Sequence, residues 1–564
     1  LIRIFVDSKI DFGMMQSDAP PPHNRLFIWL PFLLSIVLAG GILLGMRLQS
    51  AAPPLLITGE NLVGGKEFSA YGKIEELLRY IEAKYVDEVD RGKLVDKAIQ
   101  SILQELDPHS GFIPADQLDV VEESMEGSFS GIGVEFIMLE DTVVVVAPLS
   151  GGPAEKAGLL AGDKIIAVED SVIAGRGLLN RDIIKLLRGK TGEKVTITVL
   201  RTTGKTLKVT LTRDKIPMHS LDAAFMLDAK TGYIKLNRFS ATTHDEFMKA
   251  LEMLSTQHKV QNLVLDLRQN PGGYLQQAVN ILCQLFPTKG LPLLYTEGRA
   301  VNRSDYESTG RVLFPLKDIV VLIDEGSASA SEIVAGALQD QDRGTIVGRR
   351  SFGKGLVQEQ YELHDGSALR LTVARYYIPS GRSIQKPYEN PLAYAHDTEE
   401  RLENGELSSD KPRSPLDSTT YLTSKGRKVF GGGGITPDYI IPLDTTLLNT
   451  NLIKIRPWLQ PFAFNYVRND STTFSGMSLQ RYQQEFQVKE SLLQEFVAYT
   501  AEKTDIKKDP KALAPILPEL KRQLKSQIAR VLFKEEGYFT VTSSNDPAVQ
   551  KALRVIAENR SDKK

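Results

Sequence analysis

DEGSASASEIVAGALQDQDRGTIVGRRSFGKGLVQ, residues Asp324 to Gln358, continues the apolar run IVVLID that starts at Ile319. A β-branched run, a turn of alternating Ser and Ala, and the helix-forming segment EIVAGALQD predict a strand, a sharp turn and a helix start. A serine in such a turn lies among unpaired backbone N–H groups at the positive end of a helix dipole, where developing negative charge is stabilised. Ser329, central in Ser327-Ala328-Ser329-Ala330-Ser331, is the candidate nucleophile.

A serine hydroxyl needs a base to take its proton. The histidines, His23, His109, His219, His244, His258, His364 and His396, lie in runs that read as surface, turn or core positions. His109, in Asp-Pro-His-Ser-Gly, reads as a turn residue, because no other histidine or cysteine stands at metal-ligand spacing, and no metal is inferred. Lys354, in Ser351-Phe352-Gly353-Lys354-Gly355, is the better base: its flanking glycines permit close backbone approach, and Phe352 can exclude water from the amine. A lysine desolvated in this way gives up its proton near neutral pH. Gln358, four residues on, can orient the amine without restoring its charge. The same residues approach a phosphate-binding loop from Gly348 to Lys354, but Gly355 stands where a Mg²⁺-binding hydroxyl is required. The plainest alternative is a small-residue turn beside a solvated lysine.

The wider pattern decides between these readings. SASASEIVAGALQD followed by FGKGLVQ, together with LDLRQNPGG (Leu265 to Gly273), LDPHSGF (Leu106 to Phe112) and GGGGITPDYII (Gly431 to Ile441), resembles the C-terminal processing peptidases, the tail-specific serine proteases of family S41. The likeness covers roughly residues 66 to 445, with the motifs in the family's order. The resemblance implies Ser329 as nucleophile, Lys354 as general base and Gln358 as its orienting partner. It implies an oxyanion hole built from the Ala330 N–H and one from the Asn-Pro-Gly-Gly turn, with Gly272 and Gly273 both open as the second donor. No cofactor is implied.

With 564 residues, the chain is long enough for three or four domains. A net charge of -2 gives no basic surface for nucleic acid. Cys283 is the single cysteine and cannot form an intramolecular disulfide. LFIWLPFLLSIVLAGGILLGM, Leu26 to Met46, is an uncharged apolar run between Arg25 and Arg47, long enough for one membrane helix. A signal peptide is the competing reading, but signal cores are shorter, about 7 to 15 residues, so an uncleaved anchor is expected. The chain beyond Gln49 is then placed outside the cytoplasm, in the periplasm or another extracytoplasmic space, as part of a single-pass inner-membrane protein, by the resemblance as much as by charge bias. Met14-Met15 offer an alternative start, which would leave residues 1–13 outside the natural chain.

Tyr71 to Leu106 carries apolar residues at helical spacing, expected as two helices that pack on later domains. From Met125 to Lys215 short β-branched runs, a helix at RDIIKLLRG and the entry Ser130-Gly131-Ile132-Gly133-Val134 resemble a PDZ domain. A turn through Gly131, Ile132, Gly133 and Val134 exposes N–H groups that can capture a terminal carboxylate, and the following strand offers an edge for peptide addition. Arg188 is a candidate for contact with the dyad when the domains close, against the plainer reading of a salt-bridging surface residue. Asp266, inside LVLDLR, is expected as a structural carboxylate paired with Arg268 or capping the PGG turn. Lys386 to Lys425 reads as a mobile polar insertion, and residues 476 to 535 as helices ending near GYFTVTSS.

The expected fold class is a multidomain α/β chain. Its parts are a cytoplasmic tail and membrane anchor over 1–48, a linker and helical segment over 49–118, and a barrel-like PDZ domain over 119–215. A crotonase- and ClpP-like Ser-Lys protease core over 216–444 and a helical C-terminal region over 445–564, a cap or dimerisation module, complete it. The expected activity is endoproteolysis of proteins with apolar C-terminal tails held by the PDZ domain, with a homo-oligomer or an adaptor as further partners. The alternatives are a non-catalytic PDZ scaffold or an apolar-ligand carrier on the same fold. A Ser-His hydrolase is disfavoured because G-x-S-x-G is absent around Ser329.

Overall fold

The computed structural model describes residues 68–411, 419–506 and 513–561. The expected membrane segment, Leu26 to Met46, lies outside the described residues, and among those no helix is long and apolar enough to cross a membrane. The chain divides into two compact units, Leu1–Arg91 and Gly92–Lys564. The first contains the helix Phe68–Lys84; everything below concerns the second.

At the centre is a six-stranded sheet, numbered here in chain order: β1 (Leu221–Met226), β2 (Thr231–Leu236), β3 (Asn262–Asp266), β4 (Ile319–Ile323), β5 (Thr345–Gly348) and β6 (Tyr439–Ile440). Spatial order equals chain order, with β1 antiparallel to β2 and the rest parallel; Ile234 faces Leu265, Leu265 faces Val321, and Val321 faces Ile346. Successive parallel strands need crossovers, and crossovers of one hand between neighbours place their helices on one face. Helices α1 (Thr243–His258), α2 (Leu275–Leu285) and α3 (Ala330–Asp340) accordingly pack Phe247, Leu251, Leu282, Ile333 and Val334 against Ile234, Leu263, Leu265, Val321 and Ile346.

The other face carries Tyr233, Val264, Val320, Leu322 and Val347, which strand alternation makes equally apolar. It is covered from the far end of the chain. After helix α4 (Leu517–Ser543), helix α5 (Pro547–Ser561) lays Ala548, Val549, Ala552, Val555 and Ile556 on it. The helical region expected as a cap thus contributes its last helix to the protease core. The run GYFTVTSS, expected as the end of the helices, is itself helical within α4 as far as Ser543, where α4 ends, and α4 breaks earlier, at Phe533 and Lys534. Burial of its apolar face outweighs the β-branched residues' weak preference against helix.

A second sheet sits beside the first and joins distant motifs. In it Gly111–Ile113 pairs with Ala368–Tyr377, which also pairs with Leu356–Glu362, so Gly111 meets Arg370 and Gln358 meets Thr372. The stretch 386–411 forms two helices, Pro391–Ala395 and Asp397–Glu403. The expectation of mobility fails there: Arg401 is fully buried and donates to Glu406 and to the Ser351 and Arg350 carbonyls.

The segment between Gly131 and Asp214 is a six-stranded antiparallel sheet, five strands in chain order with the short Ser171–Val172 strand paired to Lys164–Val168, and a helix, Asn180–Leu187, over a core of Ile132, Val145, Ile165, Ile183, Val195 and Ile197. Ser128–Gly131 pairs with Asp214–Pro217, closing the domain where the chain enters and leaves. Among the described residues its first long strand, Val134–Leu139, pairs only with Thr142–Pro148, and its other edge pairs with none of them.

Candidate active site

Strand β4 delivers the chain to the Ser/Ala turn, and helix α3 takes it away. The three serines of that turn have different environments. Ser327 Oγ donates to the Leu267 carbonyl at 2.9 Å and accepts the Asp324 N–H at 2.9 Å; Ser331 Oγ donates to the Asn270 carbonyl at 2.9 Å. Both hydroxyls clasp the turn to the Leu265–Gly273 segment. Among the described residues Ser329 Oγ, alone of the three, makes no hydrogen bond, and Ser329 is half-buried where its neighbours are buried. Its backbone has φ 54 and ψ -114, a conformation that non-glycine residues hold only under constraint.

Beside it runs the Asn270-Pro271-Gly272-Gly273 turn. A Cβ on Gly272, at φ +96, would lie 2.7 Å from Ser329 Cβ and 2.9 Å from the Ala330 nitrogen, and one on Gly273 would lie 2.1 Å from the Phe239 carbonyl oxygen. Only glycine permits this approach. The Gly272 N–H donates to Asn270 Oδ1 at 2.9 Å, whereas the N–H groups of Gly273 and Ala330 have no acceptor among the described residues. Of the two glycines that the sequence leaves open, Gly273 is the one with a free donor.

Lys354 lies on the other side. Its Nζ donates to Gln358 Oε1 at 3.1 Å, and the Gln358 amide nitrogen donates to the His109 carbonyl at 2.6 Å, which fixes the amide with its oxygen toward the amine. Burial, and then the charge of Arg370, push the Lys354 amine below the usual lysine range. No hydrogen bond joins Lys354 to Ser329 in this state; catalytic hydrogen bonds often form only in the substrate complex.

What ties the two residues together is Glu332, a buried carboxylate that accepts four hydrogen bonds. They come from the Ser329 N–H (2.9 Å), the Lys354 N–H (2.8 Å), the Gly353 N–H (2.7 Å) and Ser351 Oγ (2.5 Å). Burial outweighs these donors and pushes Glu332 up to about 7. On the carbonyl side, the buried Tyr376 hydroxyl lies 2.8 Å from the Lys354 oxygen and 3.2 Å from the Ser329 oxygen. The turn thus presents a free hydroxyl beside two free N–H donors, and Glu332 and Tyr376 link its backbone to that of a lysine whose charge burial disfavours.

In the PDZ-like segment, the Gly131-Ile132-Gly133-Val134 turn leaves the N–H groups of Ile132 and Gly133 without acceptors among the described residues, at the start of the strand edge that none of them pairs with. Arg188 stands at the joint with the preceding helix, Ala115–Glu126. There it contacts Glu123 Oε2 at 3.4 Å and lies 4.8 Å from the centre of the Phe129 ring, with no contact to Ser329 or Lys354.

Comparison with known proteins agrees with this architecture. Residues 230–391 match the model of peptidase family S41, residues 130–214 that of the PDZ domain, and residues 453–534 a family of unknown function. A carboxy-terminal-processing protease of Bartonella bacilliformis is 37% identical over 339 residues, covering 59% of this chain and 77% of the relative. The chain belongs to the carboxy-terminal processing proteases of peptidase family S41. A second relative, the carboxy-terminal processing protease CtpB of Bacillus subtilis, is 37% identical over 357 residues, 62% of this chain and 72% of that one. Among solved structures, the photosystem II D1 C-terminal processing protease is 34% identical, covering 55% of this chain and 84% of that chain, with a TM-score of 0.31.

In this S41 peptidase, sequence reasoning passed over Glu332 and Tyr376 and gave His109 only the role of a turn residue. Glu332 carried one signal, its place three residues after Ser329 as in a capping box, but that pattern speaks of helix starts and not of sites. His109 reads as a turn residue, and it is one: Asp107 accepts from the His109 and Ser110 N–H groups at 2.8 Å each. That turn also aims the His109 carbonyl at Gln358, and packs its ring against Tyr394, whose hydroxyl is 2.6 Å from Nε2, and Phe352. Burial, and then the Lys354 charge, push His109 down to about 4, so the ring is neutral at physiological pH. Phe352 also shares with Tyr394 the cation of Lys386, whose Nζ lies 4.0 Å from its ring centre. His109→Ala retains the carbonyl and loses only the ring, so kcat is expected to fall by about tenfold or less, measured on a peptide reporter.

Proposed function

We propose that the chain is an extracytoplasmic serine endopeptidase in which Ser329 attacks the scissile carbonyl as Lys354 takes its proton. The observation that carries this reading is the selective freedom of Ser329: a strained residue with the one uncommitted hydroxyl in its turn, between two free N–H groups and a desolvated lysine. Ala330 and Gly273 then hold the oxyanion, Gln358 keeps the amine aimed, and water hydrolyses the acyl-enzyme. Substrate tails enter through the PDZ domain, their terminal carboxylate on the Ile132 and Gly133 N–H groups and their backbone added to the edge of Val134–Leu139. The apolar run Leu26 to Met46 tethers this machinery to a membrane.

The test is cleavage of an unstructured reporter ending in an apolar tail, with a fluorophosphonate probe mapped by mass spectrometry. Cleavage by wild type, label on Ser329, and neither in Ser329→Ala are the expected results. Label on another residue, or full activity of Ser329→Ala, would overturn the mechanism. Amidation of the reporter's C-terminus is expected to weaken its binding by roughly tenfold or more, through loss of the carboxylate contacts. Equal binding of the amide would remove the tail-recognition part of the proposal.

A further inference from the structure

The turn that carries Gly273 is gripped from behind by a residue that none of the matched family segments includes. Arg268 lies between two carboxylates. Asp266 accepts from its Nε at 3.1 Å and from its Nη2 at 2.5 Å, as expected from the sequence, and Asp546 accepts from Nη1 at 2.7 Å. Asp546 sits in the short link between α4 and α5, beyond both the S41 segment ending at 391 and the segment ending at 534.

Both oxygens of Asp546 are committed. Oδ2 holds Arg268, while Oδ1 accepts from the N–H groups of Ala548 (2.8 Å) and Val549 (3.3 Å), capping α5. That helix is locked on the sheet by Val549, Ala552 and Ile556, so Asp546 is a fixed anchor. From Arg268 the restraint passes into the turn. Its N–H donates to Asp266 Oδ1 at 2.9 Å and its carbonyl accepts from Lys235. The next residue, Gln269, binds Asp324 through backbone and side chain, each at 2.8 Å, and Asn270 accepts from the Ala328 N–H and Ser331 Oγ. Charge-assisted bonds of this kind are directional, and an oxyanion donor displaced by a fraction of an ångström loses much of its effect.

We propose that Asp546 is a positioning residue for hydrolysis, acting through Arg268 on the turn that presents the Gly273 N–H, which makes the C-terminal region a working part of the active site. This rests on the Ser329–Lys354 reading above. Asp546→Asn in the full chain separates the two roles of the carboxylate, because the asparagine oxygen still caps α5 while the charge facing Arg268 is lost.

Asp546→Asn is expected to lower kcat on the peptide reporter by roughly tenfold to a hundredfold with KM within about twofold. Amide hydrogen exchange, read by mass spectrometry, is expected to speed up in the peptide containing Gly272 and Gly273 and to stay unchanged in β2 to β5. Asp546→Glu, which keeps the charge, is expected to recover part of the lost kcat. Unchanged kcat and exchange in Asp546→Asn would overturn the proposal, and so would faster exchange spread over the whole sheet, which marks a purely structural role. Failure of the underlying protease reading shows differently, as activity surviving in Ser329→Ala, and the exchange measurement still decides the link between Asp546 and the turn.

Discussion

Lys354→Met is expected to lower kcat by about a thousandfold or more while the protein stays folded. The methionine fills nearly the same volume in a half-buried site and removes a group whose charge burial already disfavours, so the fold has little to lose. What disappears is the proton acceptor. The backbone links of residue 354, its N–H to Glu332 and its carbonyl to Tyr376, are independent of the side chain and persist. The pH profile of the wild type carries the same information. A lysine base works only when neutral, so activity is expected to rise with pH and to level off above the Lys354 pKa. That plateau begins below the ordinary lysine range because burial lowers the amine. Peptide cleavage from pH 5 to 10 checks this, and a Lys354→Met variant with wild-type turnover would rule out the dyad.

Glu332→Gln is expected to have the next largest effect, on stability and turnover together. The carboxylate accepts four donors, and a glutamine amide turns one acceptor oxygen into a donor. Two of the four N–H or O–H groups then face an NH₂ in a buried site. Leaving buried donors unpaired costs about 1–3 kcal/mol each, so a loss on the order of 3 kcal/mol is expected from urea unfolding. Because the displaced groups are the backbones of Ser329 and of the Gly353–Lys354 segment, kcat should fall with it. The wild type also has a pH signature here. The folded-state pKa of Glu332 is raised to about 7 from 4.5. The folded state therefore binds more protons than the unfolded chain in that interval, and this contribution to stability is full below about 4.5 and is lost as pH rises through 7. Unfolding midpoints measured from pH 4 to 8 should show that decline in the wild type and not in Glu332→Gln. Parallel slopes in the two proteins would show that Glu332 does not titrate there.

Sequence alone determined much of what is local around the candidate site. The β-branched run, small-residue turn and helix from Ile319 to Asp340 follow from side-chain period and turn chemistry, and the structure forms them as a strand, turn and helix with few residues' difference. Lys354, four residues before Gln358 in one segment, is legible for the same reason: the two side chains meet through local chain geometry. So is the salt bridge of Asp266 with Arg268. The tertiary structure decided what depends on chain segments far apart. Gly273 stands out from Gly272 only because Asn270 folds back to occupy one N–H, a rotamer that no pattern encodes. The His109 carbonyl reaches Gln358, 249 positions away, because strands from both segments pair with Ala368–Tyr377. Glu332 becomes the hub of the site because folding buries it among N–H groups from a loop some twenty residues later. Helix α5 belongs to the protease core because one face of a parallel sheet needed apolar cover that its own crossovers cannot supply. Periodicity reports which face of an element is apolar, and only the packed chain reports what that face meets.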